Sequence, residues 1–119
     1  IFFYKNLPRK TLLKLIQTSS ILCSTSSVEG FGINVIEAAA CGVPYIISNI
    51  EIFKEITKNG KGGLFFKTRD NEDLASQLTV LLTSKGIYKK KQREAINLAK
   101  SYDWKEISVE TEKIYQSLI

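Results

Sequence analysis

An α/β fold with a mostly parallel sheet is predicted by three features of this chain. Short β-branched or aromatic runs alternate with helical periodicities from one end to the other. Glycine stop signals fall just before strand-like segments. One strand, turn, helix, strand unit is spelled out between residues 21 and 48. Strands separated by helices need crossover connections, and crossovers make neighbouring strands parallel.

Taken in order, Ile1-Phe2-Phe3-Tyr4 reads as a first strand. Pro8 suits the first turn of a helix running through Thr18, with Leu12, Leu13, Leu15 and Ile16 on one side. Residues 20–24 form the next strand, and a helix from Gly32 to Cys41 follows, stopped by Gly42 ahead of Pro44. Tyr45–Ser48 is a third strand, Ile52–Lys58 a short helix, and Asn59-Gly60 its stop. Residues 62–66 give the fourth strand. Asp70 caps a helix whose Leu74, Leu78, Leu81 and Leu82 make an apolar stripe. Ser84-Lys85-Gly86 breaks that helix, and two more are expected over 87–101 and 104–118, with Trp104, Ile107, Ile114 and Leu118 in phase on the second.

At 119 residues, 44% of them apolar and 24% charged, the chain has the size and composition of one folded domain. No apolar run approaches the roughly 18 residues of a membrane span. Cys23 falls in a strand and Cys41 at a helix end, so both are read as small core residues; two cysteines without a histidine do not make a zinc site. Asp70 and Asp73 read as helix-capping groups rather than a metal pair. The net charge of +5 is densest at Lys89-Lys90-Lys91 and Arg93, read first as a solvated helix face and second as a surface for anionic lipid. No base-stacking aromatics interleave with these lysines, which argues against nucleic acid. The chain holds no methionine and opens directly on a strand-like run, so it is expected to be part of a longer polypeptide.

The chemistry lies in Ser27-Val28-Glu29-Gly30-Phe31-Gly32-Ile33-Asn34-Val35-Ile36-Glu37. Two glutamates flank a glycine-aromatic-glycine turn at the carboxyl end of a strand, which is where ligands bind in open α/β sheets. On one continuous helix they would sit about 80° apart around the axis and about 12 Å apart along it, so a turn between them is expected. The amides of Gly32–Val35 are then unpaired donors suited to a diphosphate, and the glycines allow close approach. Carboxylates beside a bound anion make sense if they accept hydrogen bonds from hydroxyls. The spacing therefore points to a ligand with a sugar at each end and a diphosphate between.

Glu29-Gly30-Phe31-Gly32, the second glutamate Glu37, and Ala40-Cys41-Gly42-Val43-Pro44 resemble the donor-site signature of glycosyltransferase family 4. The likeness extends through Asn59-Gly60, Gly63-Leu64, Asp70, Asp73-Leu74 and Tyr102-Asp103-Trp104. It departs at Thr25-Ser26 in place of Pro-Ser, at Lys5 in place of glycine, and at Glu51-Ile52 in place of a glycine pair, while Glu55 matches the glutamate that follows that pair.

The resemblance implies a Rossmann-like three-layer α/β/α unit, the C-terminal half of a two-domain GT-B enzyme that moves a glycosyl group from a nucleotide-diphosphate sugar to an acceptor hydroxyl with retained configuration. It implies that Glu29 lies beside the donor sugar as the catalytic-site acid. Gly30, Phe31, Gly32, Ile33 and Asn34 would hold the diphosphate, and Glu37 the ribose hydroxyls. No metal and no cofactor beyond the donor substrate is expected. An N-terminal domain would bring the acceptor site, a basic pair upstream would add charge, and the piece alone would be inactive. Polysaccharide or glycoconjugate synthesis in the cytoplasm, with contact to the cytoplasmic face of a membrane left open, is the corresponding setting. Two other readings remain: a nucleotide-sugar-binding module without catalysis, and an enzyme of the nucleotide-sugar epimerase type. With the strand order 3-2-1-4-5-6, this chain would supply the last four strands, and residues 1–4 should not pair with residues 20–24.

Overall fold

The computed structural model describes residues 1–118. Their order is α1 (Arg9–Thr18), β1 (Leu22–Ser24), α2 (Ile33–Ala40), β2 (Tyr45–Ser48), α3 (Glu51–Ile56), β3 (Gly63–Phe66), α4 (Asn71–Thr83), α5 (Lys85–Lys100) and α6 (Trp104–Ser117). The three strands form one parallel sheet in the order β1-β2-β3, with Cys23 opposite Ile46 and Ile46 opposite Leu64. The parallel α/β architecture is as expected.

β2 is the central strand, and all four of its residues are buried, as a strand covered on both faces requires. Alternation then divides the core. Tyr45 and Ile47 pack with Val35 and Ala39 of α2, Phe53 and Ile56 of α3, and Ala95 and Leu98 of α5. Ile46 joins Phe66 and Leu81 on the opposite face, under α4. These are the three layers. α1 docks beside α2 through Ile16, Ala38 and Val43.

The local signals act as the chemistry demands. Gly42 is left-handed at φ +69°; its amide donates to the Ala39 carbonyl at 3.0 Å and that of Val43 to Ala38 at 2.9 Å, the paired closure that ends helices at glycine. Lys58, Asn59 and Gly60 all take positive φ after α3. The Asp70 carboxylate accepts from the Asp73 amide at 2.9 Å.

Several expectations need correction. Residues 1–4 are not a strand: Ile1, Phe2 and Phe3 are more than four-fifths exposed and pair with nothing among the described residues. An apolar run becomes a strand only beside a partner offering hydrogen bonds. The lack of pairing between residues 1–4 and 20–24 is as expected. The strand expected over 20–24 is confined to Leu22–Ser24. Cys23 is exposed rather than in the core, because β1 is an edge strand, and Cys41 is half-buried. Ser84 does not separate two helices by a loop: it ends α4 and, through its hydroxyl, caps α5 at once. α6 has no buried residue: its Trp104 and Ile114 are exposed, as is Leu118 just beyond its end. Lys91 is not solvated; it donates to the Gly60 carbonyl and to Glu94.

Candidate donor-binding site

The site begins where β1 ends. Glu29 stands in the loop between Ser24 and α2, half-buried, and its carboxylate is engaged by its own loop. Ser26 Oγ donates to Oε2 at 3.3 Å and the Gly30 amide to Oε1 at 3.2 Å. Gly30 meets no neighbour within 4 Å at its Cβ position, so nothing in the fold demands glycine there.

Gly32 is the N-cap of α2 at φ +88°, buried, and without a side chain to cap the helix. A Cβ there would come within 2.7 Å of Phe53 Cε1. The Val35 amide is used by the Gly32 carbonyl and by Asn34 Oδ1, each at 3.0 Å. The preceding amides, of Ile33 and Asn34, lie in the first turn, where no carbonyl of the helix itself can reach them. They are the donors an anion would take.

One turn further on, Glu37 is only 15% exposed at its side chain and pairs with Arg9 Nη1 of α1. The two side chains border a hollow of about 560 Å³ whose walls include Phe31, Ile33, Tyr102 and Trp104. Phe31 meets the Tyr102 ring edge to face, centroids 5.9 Å apart, the arrangement aromatic quadrupoles favour. Tyr102 donates its hydroxyl to the Ile56 carbonyl at 2.7 Å; burial, and secondarily the charge of Glu55, pushes that phenol above its ordinary value.

Of the residues singled out from the sequence, Phe31, Ile33 and Glu37 line this hollow, whereas Glu29, Gly30, Gly32 and Asn34 lie outside its walls. The two acids thus do not share one cavity: Glu29 stands in the loop before α2 and Glu37 within the helix. Arg9 was missed by the sequence reading. Its signal was a cation at the first position of a helix with no acid in its first turn, the end where positive charge is disfavoured.

The site thus combines a helix start without a side-chain cap, a glutamate in the loop before it and a second glutamate inside the helix. The model of the family "Glycosyl transferases group 1" matches residues 1–102, and the chain belongs to that family. It is 31% identical over 111 residues to the N,N'-diacetylbacillosaminyl-diphospho-undecaprenol alpha-1,3-N-acetylgalactosaminyltransferase of Campylobacter jejuni, covering 93% of this chain and 30% of that protein. It is 30% identical over 114 residues to a glycogen synthase of Mycobacterium tuberculosis, covering 95% and 28%. Among solved structures, sucrose-phosphate synthase from Thermosynechococcus elongatus superposes with a TM-score of 0.85 at 21% identity, over 98% of this chain and 30% of that one. Anabaena HepE, solved with UDP and glucose, superposes with a TM-score of 0.72 at 20% identity, over 88% and 28%. The chain spans about 30% of the length of the curated relatives it matches.

Proposed function

We propose that this chain is the nucleotide-sugar-binding part of a retaining glycosyltransferase. The observation that carries the reading is the uncapped amino terminus of α2, held open by Gly32 between Glu29 and Glu37. The family match and a structural neighbour solved with UDP and glucose support it.

In this reading the donor's diphosphate accepts hydrogen bonds from the Ile33 and Asn34 amides, Gly30 gives it room, and Glu37 accepts from ribose hydroxyls. Glu29 lies beside the transferred sugar. The bond from the anomeric carbon to the diphosphate oxygen breaks, the acceptor oxygen bonds that carbon on the same face, and the acceptor's proton leaves with the departing diphosphate. The growing charge on the departing diphosphate is what the site stabilises. A preorganised donor is worth about 3 kcal/mol in comparable sites, and the helix start adds about 0.3–2 kcal/mol. Those contributions fall short of the roughly 8 kcal/mol or more that enzymes supply, so further groups, together with the acceptor site, belong to the rest of the protein.

The reaction is proposed to need no metal and to take place in the cytoplasm. No helix among the described residues is long and apolar enough to cross a membrane. The exposed Lys89, Lys90 and Arg93 offer charge for an anionic membrane face.

The test is calorimetry of the full-length protein that contains this chain against UDP, GDP and ADP, with Glu37→Ala as control, followed by its donor turnover in EDTA. Binding of one diphosphate, weakened by Glu37→Ala, is expected. Equal binding by both proteins removes Glu37 from the ribose role, and binding without turnover on any acceptor favours the non-catalytic module.

A further inference from the structure

We infer that Arg9 is a positioning residue for the donor site: it holds one oxygen of the Glu37 carboxylate and leaves the other for ribose. This rests on the donor-binding reading above and extends it to a residue outside the signature segment.

Four observations converge on the pair. Arg9 opens α1, at the helix end that repels cations, and α1 has no acid in its first turn to offset it. Its partner is 28 positions away on a different helix, so local helix pairing does not explain the contact. The exposures are unequal, 66% for Arg9 and 15% for Glu37: the acid is the desolvated member, and a desolvated carboxylate needs a fixed donor. Finally, both side chains border the hollow that Phe31, Tyr102 and Trp104 wall on its other sides.

The contact is single, from Arg9 Nη1 to Glu37 Oε1. Among the described residues Oε2 has no protein donor. A carboxylate has lone pairs for several hydrogen bonds, so a ribose hydroxyl can be accepted without breaking the pair. Arg9 is itself well placed for this duty, because Ile16 of α1 is locked against Ala38 and Val43. That packing joins the last turns of α1 and α2 and so holds the helix that carries Arg9 against the helix that carries Glu37. The guanidinium offers its donors in a rigid plane. It therefore fixes which way the acid turns.

A strut between two helices would look the same in a stability measurement, so the test reads ribose recognition. The full-length protein that contains this chain is titrated with UDP, GDP and ADP, and then with the 2′-deoxy form of whichever binds tightest. The wild type is expected to prefer the ribose form by about tenfold, the size of a hydrogen bond to a charged acceptor. Arg9→Met should reduce that preference to about twofold or less, and so should Glu37→Gln. Arg9→Gln, which also removes the charge, should do the same and serves if the first variant does not fold.

If a folded Arg9 variant keeps the full preference while Glu37→Gln loses it, Arg9 is a strut and the inference is overturned. If Glu37→Gln keeps it too, the ribose role of Glu37 also falls, with diphosphate binding intact. If the wild type binds none of the three diphosphates, the donor-site reading fails and takes this one with it.

Discussion

Gly32 lies against the ring of Phe53: a methyl group at Gly32 would stand 2.7 Å from Phe53 Cε1 and 3.1 Å from Ile56 Cδ1. The start of α2 is therefore sealed onto the core by the absence of a side chain. Gly32→Ala must both push a fully buried ring and hold φ near +88°. A loss of about 1–3 kcal/mol is expected, read as a lowered midpoint in urea at unchanged slope.

Gly30 makes the opposite case. It has open space at its Cβ position and no positive φ. Gly30→Ala should leave the urea midpoint within about 0.5 kcal/mol of wild type, as neutral surface changes do. Nucleoside diphosphate binding by the full chain should weaken if the phosphate passes over this residue. A variant that is unchanged in both measurements would show that the ligand does not approach here.

Glu94 links α5 to the loop before β3. Desolvation raises its pKa, but the Gly62 amide, donating at 3.0 Å, and the Lys91 and Lys90 ammonium groups outweigh that and hold it below the ordinary 4.5. Its stabilising contribution is complete above the ordinary value and fades as pH falls through the depressed one. Glu94→Gln should thus melt earlier than wild type at pH 7, with the gap closing toward pH 3. A gap that stays constant across that range would show that the carboxylate's charge is irrelevant.

Tyr102 ties the end of α5 to α3 through its hydroxyl bond to the Ile56 carbonyl. Tyr102→Phe keeps the ring against Phe31 and leaves that carbonyl short of a donor. The expected cost is about 1 kcal/mol, measured by chemical denaturation, while Tyr102→Ala should cost more by also losing the edge-to-face contact.

Much of this was legible because it is local. Gly42, Asn59-Gly60 and Asp70 set backbone conformation or supply a cap within a few residues, so their effects can be read from the neighbouring chain. The continuous apolar run Tyr45–Ser48 marks a central strand for the same reason. Residues 1–4 carry the same kind of run and form no strand, because strand formation depends on a neighbour that periodicity does not report. Cys23 misled similarly: which positions of an edge strand face solvent depends on what covers it. Within the site, Phe31, Ile33 and Glu37 were recognisable from one segment, but the hollow they share is completed by Arg9 and Trp104. Those residues lie outside that segment, on α1 and α6.

The three strands run in one direction, so Ser24, Ser48 and Phe66 finish along a common rim. The loops that leave this rim carry little of the core's burden, whereas every buried side chain of β2 does. A change at an exposed rim position, such as Glu51 at the start of α3, can therefore alter what the rim presents while the scaffold beneath keeps its shape. One scaffold can in this way carry different chemistries along the same rim.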